Sequence, residues 1–239
     1  MASLGALTRA VKAHHTIRFN AALPIGIEVL ESVGYRRYHL RVGHKEMTTR
    51  SVKELKPGER YWGNFSESKD GILTISHLRK KPKIMQHDEG FILLDSFDFL
   101  EMFVASKTPS LVFKQWILEA LYETEEKALF QTLSSMLLAL HEGIVHLPLQ
   151  VANRQILLQW KENQRLNDSW IHFYIAYENL GALGGMVSSH HLALEALFER
   201  TAHFLSRHDN TLPLALSINT NDALLPLWEG ESALLDIKG

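Results

Sequence analysis

Cysteine is absent from all 239 residues, so the chain has neither a disulfide framework nor a thiolate to act as nucleophile or metal ligand. That suits a reducing compartment. No stretch reaches the ~18 uninterrupted apolar residues of a spanning helix, and Arg9, Lys12, His14 and His15 interrupt the N-terminal region where a signal peptide would carry its apolar core. The chain therefore reads as a cytoplasmic protein without a membrane span. Familiar catalytic fingerprints are missing too: there is no Walker A sequence, no G-x-S-x-G, no G-x-G-x-x-G and no H-E-x-x-H. The histidines do not compensate. His14-His15 and His190-His191 are adjacent pairs whose members point apart on a helix or strand, and His141 and His146 fall on opposite sides of an expected helix end. With no thiolate available, a zinc site would need several histidines or carboxylates brought together by the fold. The sequence predicts no enzyme, no metal and no cofactor.

What is present is an ordinary globular composition, 46% hydrophobic and 22% charged, with charge unevenly placed. From Tyr35 to Met85 there are 13 lysines and arginines against 5 acids; from Gln86 to Gly143 there are 3 against 10. The basic part either meets a polyanion or docks on an acidic surface of this chain or of a partner.

Residues 1–20 read as an arm with a short apolar stripe at Leu4, Leu7 and Val11. Residues 21–85 read as five short strands at spacings of about ten residues. Gly34, Gly43-His44, Pro57-Gly58 and Asp70-Gly71 mark the turns, and the expected fold is a small OB-like or SH3-like β-barrel. Tyr35, Tyr38, Tyr61, Trp62 and Phe65 lie among Arg36, Arg37, Arg41 and Arg60, with Arg79, Lys80, Lys81 and Lys83 following as a basic linker. Such a barrel could bind single-stranded nucleic acid through stacked bases and paired phosphates. Against that, period-2 alternation turns most of the aromatics inward. Arg37 and Arg41 with Asn64 and Ser66 also resemble the PilZ signature for cyclic dinucleotides, although Lys69 stands where that turn has glycine.

Residues 86–143 change period and predict an acidic connector of two or three helices. Phe91, Leu94, Phe97, Leu100 and Phe103 suggest the first, Leu111 to Leu121 the second, and Leu129 to Leu140 the third, with Gly143 as C-cap. Asp95, Asp98 and Glu101, and likewise Glu119, Glu123 and Glu126, read as solvated faces.

Residues 144–239 predict an α+β domain in which a mixed sheet packs with one helix. Pro148 suggests an edge or bulge in the strand Ile144 to Val151. A second strand ends on Trp160, Lys161 to Asp168 reads as a hairpin loop, and Ile171 to Tyr177 alternates as a third. Glu178, Asn179, Leu180 and Gly181 form a turn into a return segment, Leu183 to Val187, and the Asn179-Leu180-Gly181 step and the Gly184-Gly185 pair supply residues that tolerate positive φ. A helix over Glu195 to Arg207 and a strand over Leu212 to Ile218 follow, and then the apolar patch Leu224, Leu225, Leu227 and Trp228, expected to dock or to bind a protein partner. This succession, with its E-N-L-G turn, resembles the C-terminal domain of the flagellar hook-length control protein family. The resemblance implies a non-enzymatic protein that binds the flagellar export gate, switches type III export specificity and can itself pass through the export apparatus. It departs from the family in lacking the long low-complexity region.

Overall fold

The computed structural model describes residues 23–51, 53–67, 73–93, 106, 108–151, 154–165, 168–207 and 214–230. The N-terminal arm, the predicted helix beyond Leu93, Asp95, Asp98 and Glu101, and the tail after Gly230 lie outside them. Two compact units divide the chain between Lys81 and Pro82, with Asn179–Gly181 grouped with the first.

The first unit is one antiparallel sheet of β1 (Ile25–Gly34), β2 (Arg37–Val42), β3 (Lys45–Arg50), β4 (Arg60–Glu67) and β5 (Leu73–Lys80). Its order is β3-β2-β1-β4-β5, so β3 and β5 are edges and no closed barrel forms among the described residues. The five strands were legible in local alternation. Closure was not, because it depends on pairing between strands distant in sequence. Ile27, Val29, Tyr38, Leu40, Val42, Leu55 and Phe65 make the core, with Tyr61 packed against it. The Tyr38 hydroxyl accepts a hydrogen bond from the Leu55 amide, which ties the loop before Pro57 to the sheet. Trp62 is buried as well, so apart from Tyr35 the aromatics of the basic region offer no open stacking face. The expected basic linker is likewise corrected. β5 continues through Lys80, and Lys81 is buried with its ammonium 6.0 Å from the centre of the Trp62 ring.

The second unit holds β6 (Ile92–Leu93), α1 (Pro109–Glu123), α2 (Lys127–His141), β7 (Ile144–Val151), β8 (Arg154–Arg165), β9 (Asp168–Tyr177), β10 (Gly181–Val187), β11 (His191–Ala196), α3 (Glu199–Ser206) and β12 (Ala215–Thr220). The strands form a seven-stranded sheet in the order β12-β11-β10-β9-β8-β7-β6, with parallel pairs at its two ends. Residues 86–143, read above as a connector, share a core with the strands that follow. Phe113 and Ile117 of α1 and Leu133 and Met136 of α2 pack with Ile92, Val145 and Leu147. Each such side chain contributes about 1.5–3 kcal/mol on burial. Gly143 takes φ +76° after α2, the left-handed position that ends a helix at least cost in glycine.

Four local expectations change. Phe91 to Leu93 begins no helix, because Ile92 and Leu93 pair with Leu149 and Gln150. Pro148 keeps regular register with Leu157 and makes no bulge, and β7 is not an edge strand; β6 pairs only beyond the proline, so its missing N–H breaks no bond to that neighbour. Lys161 to Arg165 and Asp168 are strand, paired from Lys161↔His172 to Arg165↔Asp168. Glu195 and Ala196 belong to β11 and pair with Gly184 and Leu183, so the helix starts only at Glu199.

Candidate functional site

The apolar patch near the C-terminus lies on the chain's own sheet. Alternation in β7 and β8 turns Val145, Leu147, Leu158 and Trp160 toward the helices and leaves His146 and Gln159 on the opposite face. His146, Gln159 and Tyr174 occupy one cross-strand row over β7, β8 and β9, and all three are buried. Residues Leu224 to Gly230 cross this face as a strap.

Gln159 anchors the strap by acting as a peptide group would. Its Nε2 donates to the Trp228 carbonyl at 2.6 Å and meets His146 Nδ1 at 2.7 Å, while its Oε1 accepts from the amides of Leu227 at 2.8 Å and Trp228 at 3.4 Å. Both donors and both acceptor positions of the carboxamide are thereby used. The backbone partners also set the amide's orientation, since the reverse would place two oxygens together. His146 Nδ1 therefore accepts, and the ring is neutral. Burial pushes its pKa down to about 4. The Trp228 ring meets the imidazole edge-on at 5.0 Å. Further along, the Glu229 carboxylate accepts from the Lys83 amide, and the Lys83 ammonium donates to the Gly230 carbonyl. At the other end Leu224 lies so near Gly184 that a Cβ there would come within 2.7 Å of its methyl carbon. Of the four patch residues, Leu225 remains strongly exposed and the other three are half-buried.

The E-N-L-G turn joins β9 to β10. Asn179 is exposed, Glu178 and Leu180 are half-buried, and Gly181 is buried with φ +74°. The turn shapes the chain, as the positive-φ reading of Gly181 expects.

The basic residues separate into two groups. Across β3, β2, β1 and β4 the cross-strand partners Glu46↔Arg41, Arg41↔Glu28 and Glu28↔Arg60 form a row of alternating charge. Arg41 contacts Glu28 at 3.0 Å and Glu46 at 3.2 Å, and Arg60 reaches Glu28 at 3.7 Å. The hydrogen bond with Glu46, then the charge of Glu28, raise the Arg41 pKa. Lys80 is paired with Glu59, and Arg79 has interactions of its own. Arg41, Lys80 and Lys83 each meet an acid or a backbone carbonyl and Lys81 is buried beside Trp62, whereas Arg36 and Arg37 have no such partner among the described residues. In the PilZ-like pair, Arg41 is held by two carboxylates while Arg37 faces another arginine, Arg50. Asn64 of that motif is buried.

A surface feature that sequence reasoning missed lies on the helical side. An open pocket of 370 Å³ is lined by Ser110, Leu111, Lys114, Leu140, Gly143, Val145, Trp160 and Glu162, mainly apolar with a charged rim. From it, Leu111, Leu118 and Tyr122 follow one side of α1 at 62%, 47% and 93% exposure. Their spacing of seven and four residues is visible in the sequence, but nothing local distinguishes an outward stripe from an inward one. Glu119, Glu123 and Glu126 are exposed, and no group of three or more histidines and carboxylates could hold a metal among the described residues. No protein-family model, no curated protein and no solved structure matches the chain.

Proposed function

We propose that the chain is a non-enzymatic protein-binding protein whose partner, as its resemblance to hook-length control proteins implies, is the cytoplasmic domain of the flagellar export gate. The observation that carries the binding surface is the apolar pocket at the start of α1, prolonged by Leu118 and Tyr122. An exposed aromatic and two leucines beside a cleft rimmed by Lys114 and Glu162 suit an anchor side chain from a partner, with charges to orient it. The run of strands closing on Glu178 to Gly181, then helix and last strand, supports the family reading, with β11 as an additional strand before the helix. The test is a pull-down with the export-gate domain. Wild type is expected to be retained, and Leu111→Asp combined with Tyr122→Ala to be lost, while both proteins unfold at similar urea concentration because the two side chains are exposed. Absence of wild-type retention would remove the gate as partner. Equal retention of the variant would remove this surface.

A further inference from the structure

The arginines at the turn end of β1, β2 and β3 stand apart from the charge row beside them. Arg37 and Arg50 are direct cross-strand partners, and in the same row β1 contributes Gly34, which brings no charge. Two like charges directly opposite one another disfavour the pairing. No carboxylate pairs with either among the described residues; Glu31, two rows away, is within 3.6 Å of His39. The turn between Gly34 and Arg37 carries a second irregularity. Arg36 sits at φ +51°, one of two non-glycine residues at positive φ among those described, where such a turn ordinarily takes glycine or asparagine. Its guanidinium lies over the Tyr35 ring, 5.4 Å from the centre, and Tyr35 is 79% exposed. Two unfavourable local choices, three guanidiniums without a carboxylate among the described residues and an open aromatic ring thus share one end of a sheet whose Arg41 and Arg60 meet carboxylates.

We propose that this end binds single-stranded nucleic acid, Arg37 and Arg50 holding a phosphodiester between them while a base stacks on Tyr35, whose other side Arg36 supports. The planar donor fork of a guanidinium matches the spacing of two phosphate oxygens, and a phosphate bound between the pair turns their mutual repulsion into attraction. A ring with one face against a cation and the rest open is a stacking platform that every base fits. A bilayer would require apolar side chains to insert, and the turn offers Val33 alone beside Tyr35.

Fluorescence anisotropy with a labelled oligothymidylate of about 15 nucleotides tests the proposal. Arg37→Gln with Arg50→Gln should weaken binding at least ~10-fold and reduce the salt slope by about 0.7, the value for one neutralised phosphate on a single strand. Tyr35→Ala should weaken it by about fivefold or more with the slope unchanged. Lys45→Gln, which removes one charge at the opposite end of β3, should leave affinity within about twofold of wild type. Arg50→Glu separates site from fold. It replaces a like pair by an opposite one and should raise Tm by about 1–3 °C while affinity falls. The proposal is overturned by absence of wild-type binding at low salt, by a loss in Lys45→Gln equal to that of the double variant, by an unaffected Tyr35→Ala, or by a Tm that falls with affinity. Binding to anionic vesicles without binding to the oligonucleotide would replace it with a membrane site.

Discussion

A single carboxamide substitutes for a stretch of strand in this protein. Gln159 gives the strap the donor and acceptor that a neighbouring backbone would give, and His146 completes its hydrogen bonding from the adjacent strand. The arrangement makes the histidine a pH sensor of defined sign. Its pKa is about 4 in the fold against an ordinary 6.5, so between those values the unfolded chain holds a proton that the folded chain does not. The stabilisation is fully present above pH 6.5 and is lost as pH falls through about 4. A shift of this size corresponds to on the order of 3 kcal/mol. His146→Leu removes the titration and leaves one Gln159 donor unpaired. Its deficit relative to wild type, followed by urea unfolding, should therefore shrink by roughly that amount as pH falls across the window. A deficit independent of pH would mean that the imidazole is not held neutral by burial. Sequence reading identified the patch from Leu224 to Trp228 but not what covers it. Gln159 appears there only as a polar residue in an imperfectly alternating strand, and its partners are 68 and 69 positions away.

At the scale of elements, the adjacent glycines of β10 do different work. A Cβ at Gly185, where φ is +146°, would lie 1.9 Å from the Ala193 carbonyl oxygen in the neighbouring strand. Gly185→Ala should thus separate β10 from β11 and cost about 3 kcal/mol or more. A Cβ at Gly184 comes within 2.7 Å of a Leu224 methyl carbon, which can move, while the nearest backbone atom, the Phe173 carbonyl oxygen, stays 3.4 Å away. Gly184→Ala should cost about 1 kcal/mol and show itself as faster hydrogen exchange at the Leu227 amide, a consequence of a loosened strap. Equal losses from the two variants, with unchanged exchange, would contradict the separation. The sequence singled out this pair for positive φ, and Gly185 uses it. Elsewhere the same local logic failed for definite reasons. Phe91 to Leu93 fits helical spacing, yet two residues are enough for a parallel bridge to Leu149 and Gln150. Glu195 and Ala196 fit an amphipathic helix, yet the ladder to Gly184 and Leu183 extends over them. In both cases strand pairing overrode the local period, and the pairing partner lies outside a window of a few residues.

For the whole molecule, formal charge and available charge differ. The segment from Tyr35 to Met85 has a large cationic excess, yet Arg41 and Arg60 converge on Glu28, Lys80 meets Glu59, and the guanidiniums without a carboxylate among the described residues gather at one turn. A count along the chain therefore overstates how strongly this region attracts a polyanion and does not say where. Glu28 is the residue on which the neutralisation turns, because it alone in the row serves arginines on both adjacent strands. Glu28→Gln would leave Arg60 without that carboxylate and Arg41 with Glu46 alone. The lost pairs are partly solvated, so the expected destabilisation is about 1 kcal/mol. The larger consequence is electrostatic: one negative charge fewer beside Arg41 and Arg60 should raise the salt concentration that elutes the protein from immobilised heparin. The same substitution should leave the effect of Arg37→Gln with Arg50→Gln on oligothymidylate binding nearly unchanged, since the two sites lie in different rows of the sheet. An elution salt that does not rise would show that Glu28 was not masking the arginines, and that the excess of positive charge in this segment was accessible from the start.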